Sequence, residues 1–165
     1  MNDCKYGYDI KDGVIRLTLL KSAVDPNVDA DRETHEFIYS IYPHSGDWKR
    51  AGTVNMAYSL NCPMYTKVEE PHEGKLPNTF SFINVDRENV IIEVVKKCED
   101  GDDLVIRAYE CYNRRTDANI SFYKEPQAVF ECDLLENPVS EVRVEGNTFN
   151  FKIKPFEIKT FRLKF

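Results

Sequence analysis

At 165 residues, with a formal net charge of −6 and a pI near 5.2, the chain has length for one ordinary domain or two small ones. Apolar residues make up 42% and aromatics 12%, a composition that excludes a disordered chain. The acidic balance argues against nucleic acid and anionic membrane surfaces, which demand a basic face, and no run approaches the roughly 18 apolar residues of a membrane span.

In chain order, residues 6–10 are short and aromatic, and Lys11-Asp12-Gly13 reads as a hairpin turn because glycine supplies the positive φ it needs. Residues 14–20 set Ile15, Leu17 and Leu19 against Arg16 and Thr18, which predicts a half-buried strand. The loop 21–32 contains Pro26 and has no periodicity; loops of that size are usually functional or flexible. Residues 34–42 predict another strand, with Phe37, Tyr39 and Ile41 on one side and Pro43 and Gly46 ending it. Asp47 reads as the N-cap of a helix near 48–60, since Trp48, Ala51, Val54, Ala57 and Tyr58 recur at helical spacing and Pro63 stops it.

Pro71, Gly74 and Pro77 mark 67–78 as a loop or linker dividing 1–66 from 79–165. Beyond it every segment reads as a strand: 80–85, 90–97, 104–112, 119–123, 129–135, 141–144, 148–153 and 156–165. Regular short strands with such separators predict a mainly β fold, an antiparallel β-sandwich, with one helix in the whole chain. Phe149, Phe151 and Ile153 should face inward across a Gly146-Asn147 hairpin from Val142 and Val144. Phe156 and Ile158 keep one phase while Phe161, Leu163 and Phe165 keep the other, which predicts a β-bulge near Lys159-Thr160.

Five cysteines, Cys4, Cys62, Cys98, Cys111 and Cys132, carry no metal-type spacing. They read as reduced thiols, and with no secretory leader pattern after Met1 they predict a cytoplasmic protein. Asp25, Asp29, Asp31, His35 and His44 are acceptable ligand types for zinc or manganese. Nine residues of extended strand span about 30 Å, so His35 and His44 cannot share an ion without a sharp reversal, and the acidic loop reads as a solvated one. No GxSxG and no glycine-rich phosphate loop occurs. Tyr6, Tyr8, Tyr42, Trp48 and Tyr65 flank loops and offer the rings of a sugar-binding module; as strand-end and core residues they would offer nothing of the kind.

Longer strings carry a resemblance. Asn2-Asp3-Cys4-Lys5-Tyr6-Gly7, His35-Glu36-Phe37-Ile38-Tyr39-Ser40 and Tyr42-Pro43-His44-Ser45-Gly46-Asp47-Trp48 are joined by Lys96-Lys97-Cys98-Glu99-Asp100, Arg107-Ala108-Tyr109-Glu110, Asp133-Leu134-Leu135-Glu136 and Pro155-Phe156-Glu157-Ile158. Together they resemble the C-terminal β-region of family 38 glycoside hydrolases, the α-mannosidases, closest to the cytosolic and bacterial branch. The resemblance implies the tail of a mutarotase-like β-supersandwich to about residue 66 and a small terminal sandwich after it.

It also implies a parent reaction, the retaining hydrolysis of terminal α-mannosides, whose zinc and carboxylates lie in an N-terminal catalytic domain that this chain does not contain. No catalytic residue, metal ligand or cofactor is expected here. The partner is then the catalytic domain of the same polypeptide, and the chain by itself should be inactive, with exposed strand faces that predict self-association. In Golgi relatives the turn after the 14–20 strand bears arginines that approach substrate. Here it reads Lys21-Ser22, which removes a bidentate contact. Lys21, Asp31, His35 and His44 are the residues expected nearest a substrate in the intact enzyme.

Overall fold

The computed structural model describes residues 6–165; Cys4 and the 2–5 part of the first string lie outside them. The chain divides into two compact units, Met1–Val68 and Glu69–Phe165. Strands dominate and one helix occurs among the described residues, so the fold is mainly β. That helix is neither long nor apolar enough to cross a membrane.

In the first unit, β1 (Tyr8–Lys11) and β2 (Val14–Leu17) form an antiparallel hairpin in which Ile10 faces Ile15. Gly13 (φ 74°) and Asp12 (φ 54°) make the turn. β2 stops at Leu17, three residues short of expectation, and it is exposed, not half-buried. The strand expected over 34–42 does not form. Only Tyr39 is in a bridge, and among the described residues no strand pairs along 34–42, although an alternating segment needs a neighbour to become a strand.

The helix α1 is Thr53–Asn61, and Asp47 is not its N-cap. Asp47 Oδ1 instead accepts the N–H of Arg50 at 2.8 Å and organises a turn over 47–52. Gly52, in the left-handed region at φ 61°, ends that turn and starts the helix. The helical spacing of Trp48 and Ala51 therefore belongs to the turn.

In the second unit, one sheet orders β3 (Ile83–Val85), β6 (Thr116–Phe122), β10 (Thr148–Ile153) and β9 (Val144–Glu145) as β3-β6-β10-β9. The other orders β4 (Val90–Lys97), β5 (Leu104–Glu110), β11 (Ile158–Lys164), β7 (Ala128–Cys132) and β8 (Pro138–Val142) as β4-β5-β11-β7-β8. All the pairings are antiparallel. The two apolar faces meet in one core. Ala118, Ile120, Phe122, Phe149, Phe151 and Ile153 come from the first sheet; Val90, Ile106, Ala108, Val129, Phe161 and Leu163 come from the second. Phe161 joins the layers, its ring centroid 4.9 Å from Phe149 and 5.0 Å from Phe151.

β10 shows how the sequence sets this. Phe149, Phe151 and Ile153 point in while Asn150 and Lys152 point out, the period-two pattern of a sheet with one wet face. Each buried Phe contributes about 2–3 kcal/mol of transfer free energy. Gly146 (φ 61°) turns the β9–β10 hairpin, and the main chain of Asn147 accepts the N–H of Phe122 at 2.9 Å, tying the turn to β6.

Two details differ from expectation. Val142 and Val144 do not share a strand: Arg143 marks the crossing from one sheet to the other. No bulge occurs at Lys159-Thr160, where β11 pairs continuously with both β5 and β7. The apparent slip is only parity. Phe156 sits in the preceding turn at φ 55° and Ile158 faces outward, whereas Phe161 and Leu163 face in. The real register shifts fall between Ile92 and Val94 and between Glu131 and Cys132.

Candidate functional site

The loop after β2 gathers part of the expected site. Asp31 adopts the left-handed region (φ 58°), which a short polar side chain tolerates. Its carboxylate accepts the hydroxyl of Tyr6 and, at 3.4 Å, the N–H of Ser22. The main-chain carbonyl of Asp31 accepts the Ser22 hydroxyl at 3.4 Å and lies 3.3 Å from His35 Nε2. The His35 ring stacks on Phe37 at 5.8 Å. Asp31 and His35 are thus brought together, but the imidazole reaches the carbonyl, not the carboxylate, so they do not form the coupled pair that acid–base chemistry uses.

Lys21 and His44 do not join them. Lys21 is exposed, and His44 lies beside Tyr42, ring centroids 5.6 Å apart. Asp29 is engaged by Arg32 at 3.4 Å. Among the described residues no group of three or more His, Cys, Asp or Glu side chains is placed to hold a metal ion. A groove of about 420 Å³ beside α1, lined by Tyr8, Val54, Ala57, Tyr58 and Cys62, contains none of the four expected residues.

The best-built polar sites lie in the second unit, and sequence reading did not nominate them. Glu110 has the inward parity of Ile106 and Ala108 and is buried. Its Oε1 accepts Asn89 Nδ2 and the N–H of Tyr112, both at 2.8 Å, and its Oε2 accepts the N–H of Phe156 at 3.0 Å. Asn89 Nδ2 also reaches Thr116 Oγ1 at 2.7 Å. Burial pushes the Glu110 carboxyl up, but hydrogen bonds from Asn89 and from the N–H groups of Phe156, Tyr112 and Arg114 more than offset it and hold it below the usual range.

Glu136, at φ 70°, is the second such carboxylate. The N–H of Glu99 donates to it at 2.9 Å, Lys96 Nζ sits 2.9 Å away and Arg107 Nη2 3.7 Å away. The Glu99 N–H, the Lys96 ammonium and the Cys98 thiol hold its carboxyl at about 2. Cys98, Cys111 and Cys132 are buried and Cys62 is exposed; burial pushes the Cys132 thiol up, as expected of an inert thiol. These groups tie loops to sheets. The signal that marked them was available: Lys96, Glu99, Arg107, Glu110 and Glu136 all fall inside the strings that carried the resemblance.

Residues 89–161 match the glycosyl hydrolases family 38 C-terminal beta sandwich domain, a range that runs from the buried Asn89 to the central Phe161. The chain is 39% identical to alpha-mannosidase G of Dictyostelium discoideum, over 98% of this chain and 15% of that protein. It is 31% identical to mouse alpha-mannosidase 2C1 over 99% of this chain and 16% of that protein, and 32% identical to the alpha-mannosidase of Saccharomyces cerevisiae over 100% and 17%. The chain thus spans about a sixth of the length of these curated relatives. It belongs to glycosyl hydrolase family 38, and the sandwich of its second unit is that family's C-terminal β-sandwich domain.

Proposed function

We propose that this chain is a segment of a zinc-dependent retaining α-mannosidase acting on terminal α-mannosides, and that its own role is structural and substrate-framing. The extent of the match carries this reading: 98–100% of the chain aligns with only 15–17% of α-mannosidases. The zinc, the nucleophile and the acid then belong to a catalytic domain of the same polypeptide, and substrate meets this segment only in the intact enzyme. A retaining pair needs two carboxyl groups about 5–5.5 Å apart facing one sugar. Glu110 and Glu136 are instead buried in networks that hold loops. A cytoplasmic location belongs to the same reading and is supported by the buried thiols of Cys98 and Cys132.

Incubation with zinc and an aryl α-mannoside should give no turnover by this chain alone; turnover would overturn the assignment of chemistry to another domain. Mixed with the part of Dictyostelium alpha-mannosidase G outside the matched segment, the chain should restore activity that neither piece shows alone. Failure to form that complex, or a complex without turnover, counts against the framing role. Exposed Tyr8, Trp48 and Tyr65 favour a second reading, an independent sugar-binding module. Calorimetry with mannose and mannobiose separates the two, since a structural segment binds neither.

A further inference from the structure

The outward face of the four-stranded sheet is polar. Asn84 of β3, Asn119 and Ser121 of β6, and Thr148, Asn150 and Lys152 of β10 share it, opposite in phase to buried Ile120, Phe149 and Phe151. At one end of the sheet this pattern breaks. Ile83 pairs with Phe122 on the core side, so Phe82 and Tyr123, which flank that pair, fall in the outward phase. The Tyr123 N–H donates to the Phe82 carbonyl at 3.1 Å and carries the ladder one step past the strand ends.

Phe80 joins them. Its ring centroid lies 6.0 Å from that of Tyr123, and the Phe82 centroid lies 4.8 Å from it. Phe80, Phe82 and Tyr123 are 47%, 39% and 53% exposed. A single exposed ring is ordinary, but three in contact form a patch, and a patch rimmed by polar residues marks an interaction site. The neighbouring row fills the same phase with Asn84 opposite Ser121, so the sheet itself does not call for rings here.

Ring geometry and the extent of the relatives together name the occupant. Phe80 meets Tyr123 at 73° between ring planes and Phe82 meets it at 36°, so the three rings make no flat platform for the face of a sugar. The two phenylalanines also carry no polar tip to meet its hydroxyls. Aromatic edges at mixed angles suit the core of a protein interface, where Phe and Tyr are enriched. The curated relatives carry most of their length outside the segment that this chain matches, which supplies a protein surface on the same polypeptide.

We infer that Phe80, Phe82 and Tyr123 are a docking surface of the sandwich for the remainder of an α-mannosidase polypeptide, whose apolar recess receives the three rings. This rests on the reading of the chain as a segment of such an enzyme, and adds the surface that holds the sandwich in place.

The test uses a whole enzyme, with this chain put in place of the matched segment of Dictyostelium alpha-mannosidase G. Hydroxyl-radical footprinting reads the exposure of each aromatic side chain in that enzyme and in this chain alone. Phe80, Phe82 and Tyr123 should react readily in the chain alone and lose most of their reactivity in the enzyme. Phe82→Asn with Tyr123→Asn should leave the unfolding midpoint of the chain alone unchanged. The same pair should make the enzyme lose activity about tenfold faster on heating, the scale of one lost interface hot spot. Equal reactivity of the rings in both settings overturns the proposal. So does protection that appears in the chain alone as it dimerises, which assigns the rings to a second copy, or only on adding mannobiose, which makes them a sugar site. An enzyme without turnover counts against the framing role, and its footprint still decides this surface: protected rings support it and reactive rings overturn it. Should the double variant not fold, the footprint of the unaltered chain decides.

Discussion

Asn89 donates from Nδ2 to Oε1 of Glu110 at 2.8 Å, with both residues buried at 0% and 1% exposure. This bond joins the start of β4 to the end of β5. It also closes the apolar core with a polar layer, because the same Glu110 receives main-chain N–H groups from Tyr112 and Phe156. A buried carboxylate is tolerated only where its lone pairs are filled by donors, as these are.

Glu110→Gln should therefore destabilise strongly despite its near-identical shape. The new amide group faces N–H donors where the carboxylate accepted, leaving at least one buried donor unsatisfied, at a cost of about 2–4 kcal/mol. Equilibrium urea unfolding measures it. An effect no larger than that of the exposed control Glu145→Gln would refute the account.

Glu136 and Glu110 also set the acid sensitivity. Both carboxyls are held below their unfolded values, Glu136 at about 2 from 4.5. The stability they contribute is fully present above the unfolded value and is lost as pH falls through the folded one. Unfolding midpoints should therefore drop as pH falls from about 4.5 towards 2, and Glu136→Gln should flatten that slope while lowering stability at neutral pH. An unchanged slope in the variant would exclude Glu136 as a source.

Phe149 lies at the centre of the core, touching the rings of Phe122, Phe151 and Phe161. Phe149→Ala should cost about 3–5 kcal/mol, from lost transfer energy and the cavity left behind. Phe156→Ala, on an exposed turn residue, should cost far less. Thermal unfolding of the two variants side by side would reveal an error in the inward and outward assignment.

The facing pair Ile10 and Ile15 is 70% and 72% exposed, and Ile41 is 88% exposed. Apolar strand faces open to water favour association. Sedimentation should show concentration-dependent self-association of the chain, reduced by Ile10→Lys and Ile15→Lys together. A monomer at all concentrations would show that these faces do not drive association.

Much of the sandwich was legible because its strands alternate with one wet face. β4 and β10 lie at their predicted bounds, and the Gly146-Asn147 turn lies where its glycine requires. The errors arose where pattern outran partners. Residues 34–42 alternate as well as β10 does, yet among the described residues no strand pairs along them. The predicted bulge in β11 arose from counting exposed Ile158 as a core residue. Of the four residues expected near substrate, Asp31 and His35 meet because they lie four apart on one loop.

By itself the sequence determined the family, the mainly β class and the inward phase of the strongest strands, since all of these are written in strings and periods of a few residues. Only the tertiary structure decided strand order, the crossing at Arg143 and the burial of Glu110 and Glu136. Those features depend on which strands become neighbours. Long-range pairing across tens of residues is set by how whole faces pack together, and no local pattern encodes it.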